Sequence, residues 1–177
     1  MTNLKKKKSA TKIIRNLSRC VSKSGSGTLA ALRRGPLEGQ GVAAFWKLVA
    51  TLDLNPVDDW AAIVQCIAIL VPKGGKKVDP HQSEIGMGTV LHSACISELR
   101  LTALLSAPRK ERRILLPRIC RRLASKAEHA QFNLSDLAYL ILSNKQKFAW
   151  KVAKDYYQAQ AADQKRKEQI EAEPSVD

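Results

Sequence analysis

The segment NPVDDWAAIVQCIAILVP, residues 55–72, constrains the fold more than any other part of the chain. Asn55 is a strong N-cap residue, Pro56 suits the first helical position, and Asp58 and Asp59 favour the positive end of a helix dipole. The second half is apolar nearly all round, and Pro72 ends it. A helix with no polar face has to be enclosed by other elements. Its charge-free run, residues 60–72, falls well short of the roughly twenty residues that a bilayer span needs. The segment therefore predicts the central helix of a protein core.

The rest of the chain reads helical as well. Thr28 can cap a short helix through Arg34 that Gly35 and Pro36 close. VAAFWKLVATL places Phe45, Leu48, Val49 and Leu52 at helical spacing. TVLHSACISELRLTALLSA is helical with a break near Ser97, and Glu98 then falls in a first turn. NLSDLAYLIL offers Asn133 or Ser135 as a cap. A last long helix begins near Asn144 and frays beyond about Ala162, where DQKRKEQIEAEPSVD is polar and charged. PKGGKKVDPHQSEIGMG predicts a loop of about fifteen residues, a length that compact domains usually keep for functional or mobile segments. No useful alternating pattern suggests a strand, and no internal repeat is present. The expectation is an all-α bundle of about six to seven helices. One domain, residues 12–162, carries it, flanked by a basic tail at 1–11 and a charged tail at 163–177.

Thirty Lys and Arg against sixteen Asp and Glu give a net charge of +14. The excess is unevenly spread. Residues 1–34 hold ten cations and no acid, and residues 100–126 hold nine cations and one acid, Glu111. The remainder is mildly acidic, so the positive charge belongs to a face or groove. In RKERRILLPRICRRLASK, Arg109–Lys126, six Arg and two Lys interleave with Ile114, Leu115, Leu116, Ile119 and Leu123. At about 100° per residue, Ile119, Cys120 and Leu123 lie within roughly 60° of Leu116, and Arg118, Arg121, Arg122 and Ser125 lie opposite. Pro117 either kinks this helix or marks its effective start. In the last helix Phe148, Ala149, Val152, Ala153, Tyr156 and Tyr157 spread over one side, with Lys147, Lys151 and Lys154 on the other. One such helix is ordinarily a solvated face. Two of them, with a basic N-terminal region, point to a polyanion. The nine aromatics fall mostly on predicted core faces, so the expectation is a phosphate-directed groove with little sequence preference and no stacking platform.

No catalytic constellation is legible. His81 lies in a loop, His92 in a helix and His129 after the basic helix, none at a metal-ligand spacing, and GGKK is too short for a phosphate-binding loop. Nothing here calls for a cofactor or a metal. The four Cys, at 20, 66, 95 and 120, read as small hydrophobes in a reducing cytosol. The acid-free N-terminus reads as a solvated Lys tail at 5–8 and an amphipathic helix over 12–23 with Ile13, Leu17 and Val21 on one face. An organelle transit peptide is the competing reading.

GTLAALRRG (27–35), FWKLV (45–49), SELRLTALL (97–105), LLPRICRRLA (115–124) and VAKDYYQA (152–159) form an ordered set. In these motifs, over about residues 12–162, the chain resembles the CasB family, the small subunit of the type I-E CRISPR surveillance complex Cascade. Val152 stands where many relatives carry a Trp before the DYY motif. The resemblance implies an all-helical, non-catalytic, cytoplasmic subunit with no cofactor. It implies as partners the large subunit, the backbone subunits that hold the CRISPR RNA, and a second copy of the chain, with no membrane. Its basic faces would hold the crRNA–target DNA heteroduplex and the displaced non-target strand, stabilising the R-loop in antiviral defence. Carried over by position, the basic sites are Arg33, Arg34, Arg100, Arg109, Arg121 and Arg122, with Lys145, Lys147 and Lys151 before the DYY motif. The helical wheel adds Arg118. A free-standing helical DNA- or RNA-binding regulator and a nucleic-acid-processing enzyme are the competing readings. Base-sequence preference in isolation would mark the first, and magnesium-dependent cleavage the second.

Overall fold

Helix α4, Val57–Leu70, is buried at every position from Asp59 to Leu70 except Gln65. An apolar helix of this kind has to be wrapped, and five others do it: α1 (Thr2–Ser22), α2 (Ser26–Arg34), α3 (Val42–Leu52), α7 (Arg109–Lys126) and α8 (Leu134–Leu142). Helices α5 (Met87–Ser93) and α6 (Glu98–Ser106) precede α7, and α9 (Gln146–Ala172) closes the chain, packing chiefly on α5 and α8. The computed structural model describes the chain apart from residues 1, 36, 38, 40–41, 74–76, 127–129 and 173–177, and apart from the side chains of 2–9 and 172. Pro36 as a helix stop, the solvated Lys tail, GGKK, His129 and the end of the charged C-terminal tail therefore lie partly or wholly outside the described residues.

The fold is all-α, as expected, with nine helices among the described residues rather than six to seven. One isolated bridge pairs His81 with Phe132. Part of the surplus comes from the predicted break near Ser97, which separates α5 from α6. There Cys95 takes a left-handed conformation with φ 54°. Boundaries also moved. Helix α2 starts at Ser26, with Gly25 rather than Thr28 at its cap, and α4 starts at Val57, with Pro56 at the cap position and the Asn55 carbonyl accepting from Trp60 Nε1 at 3.3 Å. The Asn133 carboxamide does cap α8, accepting from Ser135 N at 3.0 Å. On α1, Ile14, Leu17 and Val21 are buried, so Ile14 rather than Ile13 leads the apolar face.

The expected loop between α4 and α5 is present, and its described part is pinned. Asp79 Oδ1 accepts from Ser18 Oγ at 2.5 Å and from His81 N at 2.9 Å. Phe132 N donates to Pro80 O at 3.1 Å and Gln82 N to Phe132 O at 3.0 Å, tying the loop to the entry of α8. Helix α5 then presses onto α9. A Cβ on Gly88 would overlap the carbonyl oxygen of Val152 and stand 2.5 Å from Tyr156 N, so only glycine permits this approach. Tyr156 is buried there, and its hydroxyl donates to Ile96 O at 2.6 Å. Helix α9 continues well past the predicted fraying point, exposed throughout residues 161–171. Of the cysteines, Cys66 and Cys120 are buried, whereas Cys20 and Cys95 are exposed, against the reading of all four as small hydrophobes. Among the described residues no helix is long and apolar enough to cross a membrane.

Candidate nucleic-acid interface

The basic helix α7 divides into two halves with different charge environments. In its first half the arginines turn inward. Asp59, fully buried at the start of α4, ion-pairs with both Arg109 and Arg113. Arg113 also reaches Asp58 at 3.2 Å. A buried carboxylate requires such partners, because removing a charge from water costs several kcal/mol unless it is paired. Arg112 donates to Leu140 O at 3.1 Å and to Leu105 O at 2.7 Å, closing carbonyls near the C-terminal ends of α8 and α6. Burial lowers the Arg112 pKa from its ordinary value.

In the second half the predicted wheel holds. Leu116, Cys120 and Leu123 are buried, Arg118 and Arg121 are exposed, and Arg122 is half-buried. Pro117 sits inside a continuous helix and is itself buried. The missing N–H at this position removes one backbone bond without ending the helix. Beside it, α6 buries Leu101 and Leu104 and leaves Arg100 outside. A groove of about 580 Å³ opens between the two helices. Ile96, Ala103, Leu104, Leu115 and Ile119 give it an apolar floor, Arg100, Arg118, Arg121 and Arg122 rim it, and no carboxylate among the described residues lines it. None of these four arginines has an ion-pair partner among the described residues. Arg122 Nε is buried without a hydrogen-bond partner among the described residues.

The other sequence-predicted residues are distributed as follows. Arg33 donates from Nε to Ala68 O and from Nη2 to Val71 O, both at 2.8 Å, and so closes the C-terminal end of α4. Burial lowers its pKa. Arg121 Nη2 contacts Arg33 O at 3.4 Å, which sets the last turn of α2, with exposed Arg34, against the basic half of α7. Lys145 and Lys147 are exposed at the start of α9 and do not line the groove. Lys151 is bound to Asp136 at 2.9 Å and Asp155 at 2.8 Å. Burial pulls its pKa down, and the two carboxylates outweigh that and raise it. Four predicted cations thus converge on one groove, whereas Arg33, Arg109 and Lys151 are engaged in internal contacts.

Two features escaped the sequence reading. The counter-charge role of Asp59 was hidden behind its suitability for a helix N-terminus. The aromatics are also not all inside: Trp46, Trp150 and Tyr157 are exposed, and Tyr157 was expected on the core side of α9.

A family model described as CRISPR-associated protein Cse2 matches residues 28–157, from α2 to the middle of α9. No curated protein and no solved structure matches the chain.

Proposed function

The chain belongs to the Cse2 (CasB) family, the small subunits of type I-E CRISPR Cascade, and from that premise we propose that it holds DNA by charge rather than by chemistry. It is a Cascade subunit. In this reading it is non-catalytic, and it meets the large subunit, the crRNA-bearing backbone subunits and a second copy of itself. Its basic groove grips the target and displaced strands and stabilises the R-loop in antiviral defence. The observation that carries the reading is the convergence of Arg100, Arg118, Arg121 and Arg122 on a groove that no carboxylate among the described residues lines. Guanidinium groups match phosphate oxygens in geometry as well as charge. Sequence choice in such complexes falls to guide pairing, and R-loop formation is a near-balanced exchange of one duplex for another, so backbone contacts of modest strength can tip it. The residues bound internally, Arg33, Arg109 and Lys151, contribute by shaping the fold around this groove.

The test is a reconstituted complex carrying Arg118→Glu, Arg121→Glu and Arg122→Glu, with the exposed pair Arg118→Glu and Arg121→Glu as a variant that spares the half-buried Arg122. Both should assemble and retain guide RNA, bind matched target more weakly in a gel shift, and regain part of that binding on negatively supercoiled DNA. Loss of either variant from the complex on size exclusion, or unchanged target binding by both, refutes the assignment.

A further inference from the structure

On α9, Trp150 is 63% exposed and Tyr157 44% exposed. At about 100° per residue, Tyr157, Lys154 and Lys147 all lie within roughly 60° of Trp150, so the four form one outward stripe in the order Lys, Trp, Lys, Tyr. Lys147 and Lys154 have no ion-pair partner among the described residues. From residue 146 to 167 the helix carries two acids, Asp155 and Asp163, and both face away from the stripe. Asp155 is tied to Lys151 at 2.8 Å and Asp163 to His92 at 2.9 Å.

We infer that this face of α9 is a stacking platform for single-stranded nucleic acid, with unpaired bases on Trp150 and Tyr157 and phosphates on Lys147 and Lys154. Stacking on aromatic faces flanked by cations is how single strands are held without sequence readout, because every base has a π-face. The two rings are seven residues apart, a rise of about 10 Å, so one strand can meet both. Tyr157 is already oriented: its ring stands edge-on to Tyr156 at 5.4 Å, and its hydroxyl meets Glu98 at 3.4 Å. Gln160 also donates to Glu98 at 2.8 Å. A protein partner fits the stripe less well. Interface cores are depleted of lysine, and the exposed residues between the two rings are Lys154 and Lys151 rather than further apolar surface. The inference extends the proposed hold on the displaced strand, since only unpaired bases can stack, but it uses none of the groove arginines.

The test is tryptophan fluorescence of the full-length chain titrated with oligothymidine and with an abasic oligomer of equal length. Oligothymidine quenches the emission and the abasic strand does not. Trp150→Leu abolishes most of the quenching and weakens oligothymidine binding by about tenfold, from the energy typical of one stacked base, while Trp46→Leu keeps both. Duplex binding and the melting temperature of Trp150→Leu stay at wild-type values. Equal affinity for the two oligomers, or quenching that survives in Trp150→Leu, overturns the platform. So does exclusion of Trp150→Leu from the reconstituted complex with single-strand binding intact, which makes the face a protein interface. The groove arginines are read by the R-loop assay alone, so either assignment can fail while the other stands.

Discussion

Gly88→Ala and Gly27→Ala are the same chemical change inside two helices, and the structure predicts opposite signs. In a helix interior alanine is worth about 0.5–1 kcal/mol more than glycine. At Gly27, the second residue of α2, a new Cβ meets nothing within 4 Å, so part of that gain should appear as stability. At Gly88 the Cβ would collide with Val152 O and stand 2.5 Å from Tyr156 N, both backbone atoms of α9. Neither can rotate away, so α5 and α9 must separate by about an ångström, the scale on which dense packing loses its dispersion contacts. Overpacking of this kind typically costs about 1–3 kcal/mol, which outweighs the propensity gain. For a chain of this length 1 kcal/mol shifts the melting temperature by about 2–4 °C. The cost less the propensity gain comes to at most about 2.5 kcal/mol, so Gly88→Ala should melt below wild type by up to about 10 °C, and Gly27→Ala up to about 4 °C above it, in calorimetry or circular dichroism. If both variants shift in the same direction, or Gly88→Ala melts at or above wild type, the close approach of α5 to α9 is wrong.

Trp60→Ala and Ile67→Ala should each lose about 2–5 kcal/mol in urea unfolding, because both side chains are buried in the central helix, while Arg121→Ala should stay within about 0.5 kcal/mol. A collapse of the Arg121 variant would mean that the outward face of α7 has been misassigned. His81 accepts from Leu134 N at 3.3 Å through Nδ1, and its Nε2 is buried without a partner among the described residues. Burial lowers its pKa, with smaller opposing effects of Asp79 and Glu84 and reinforcing ones of Arg15 and Arg19. A folded-state pKa below the unfolded value means that the unfolded chain takes up the proton first. The stability is thus present above about pH 6.5 and is lost as pH falls from there. His81→Asn should show a smaller drop in melting temperature between about pH 7 and pH 5.5 than wild type, and an identical drop would refute the coupling.

Much of the fold was legible because helical periodicity is a local property. The second half of α4 is apolar nearly all round, so its central position followed from that pattern, and the opposite placement of Leu116, Cys120 and Leu123 against Arg118 and Arg121 followed from 100° per residue. The ordered motifs carried the family, and the family match covers three of the five quoted segments in full and most of the other two. The error at the end of α9 has a similarly local origin: a polar, charged composition argues against packing but not against helix, and Lys, Arg, Glu, Gln and Ala all favour helix.

By itself, then, the sequence determined the helices, their apolar stripes, the central place of α4 and the membership of a CRISPR small-subunit family. Only the tertiary structure decided which cations are left over. Arg109 and Arg113 found Asp59 across 50 and 54 positions of chain, Arg33 found the carbonyl end of α4, and Lys151 found Asp136. Arg100, Arg118, Arg121 and Arg122 found no carboxylate among the described residues. The partner of a long charged side chain depends on how distant helices dock, and a periodicity measured along one helix holds no information about that docking.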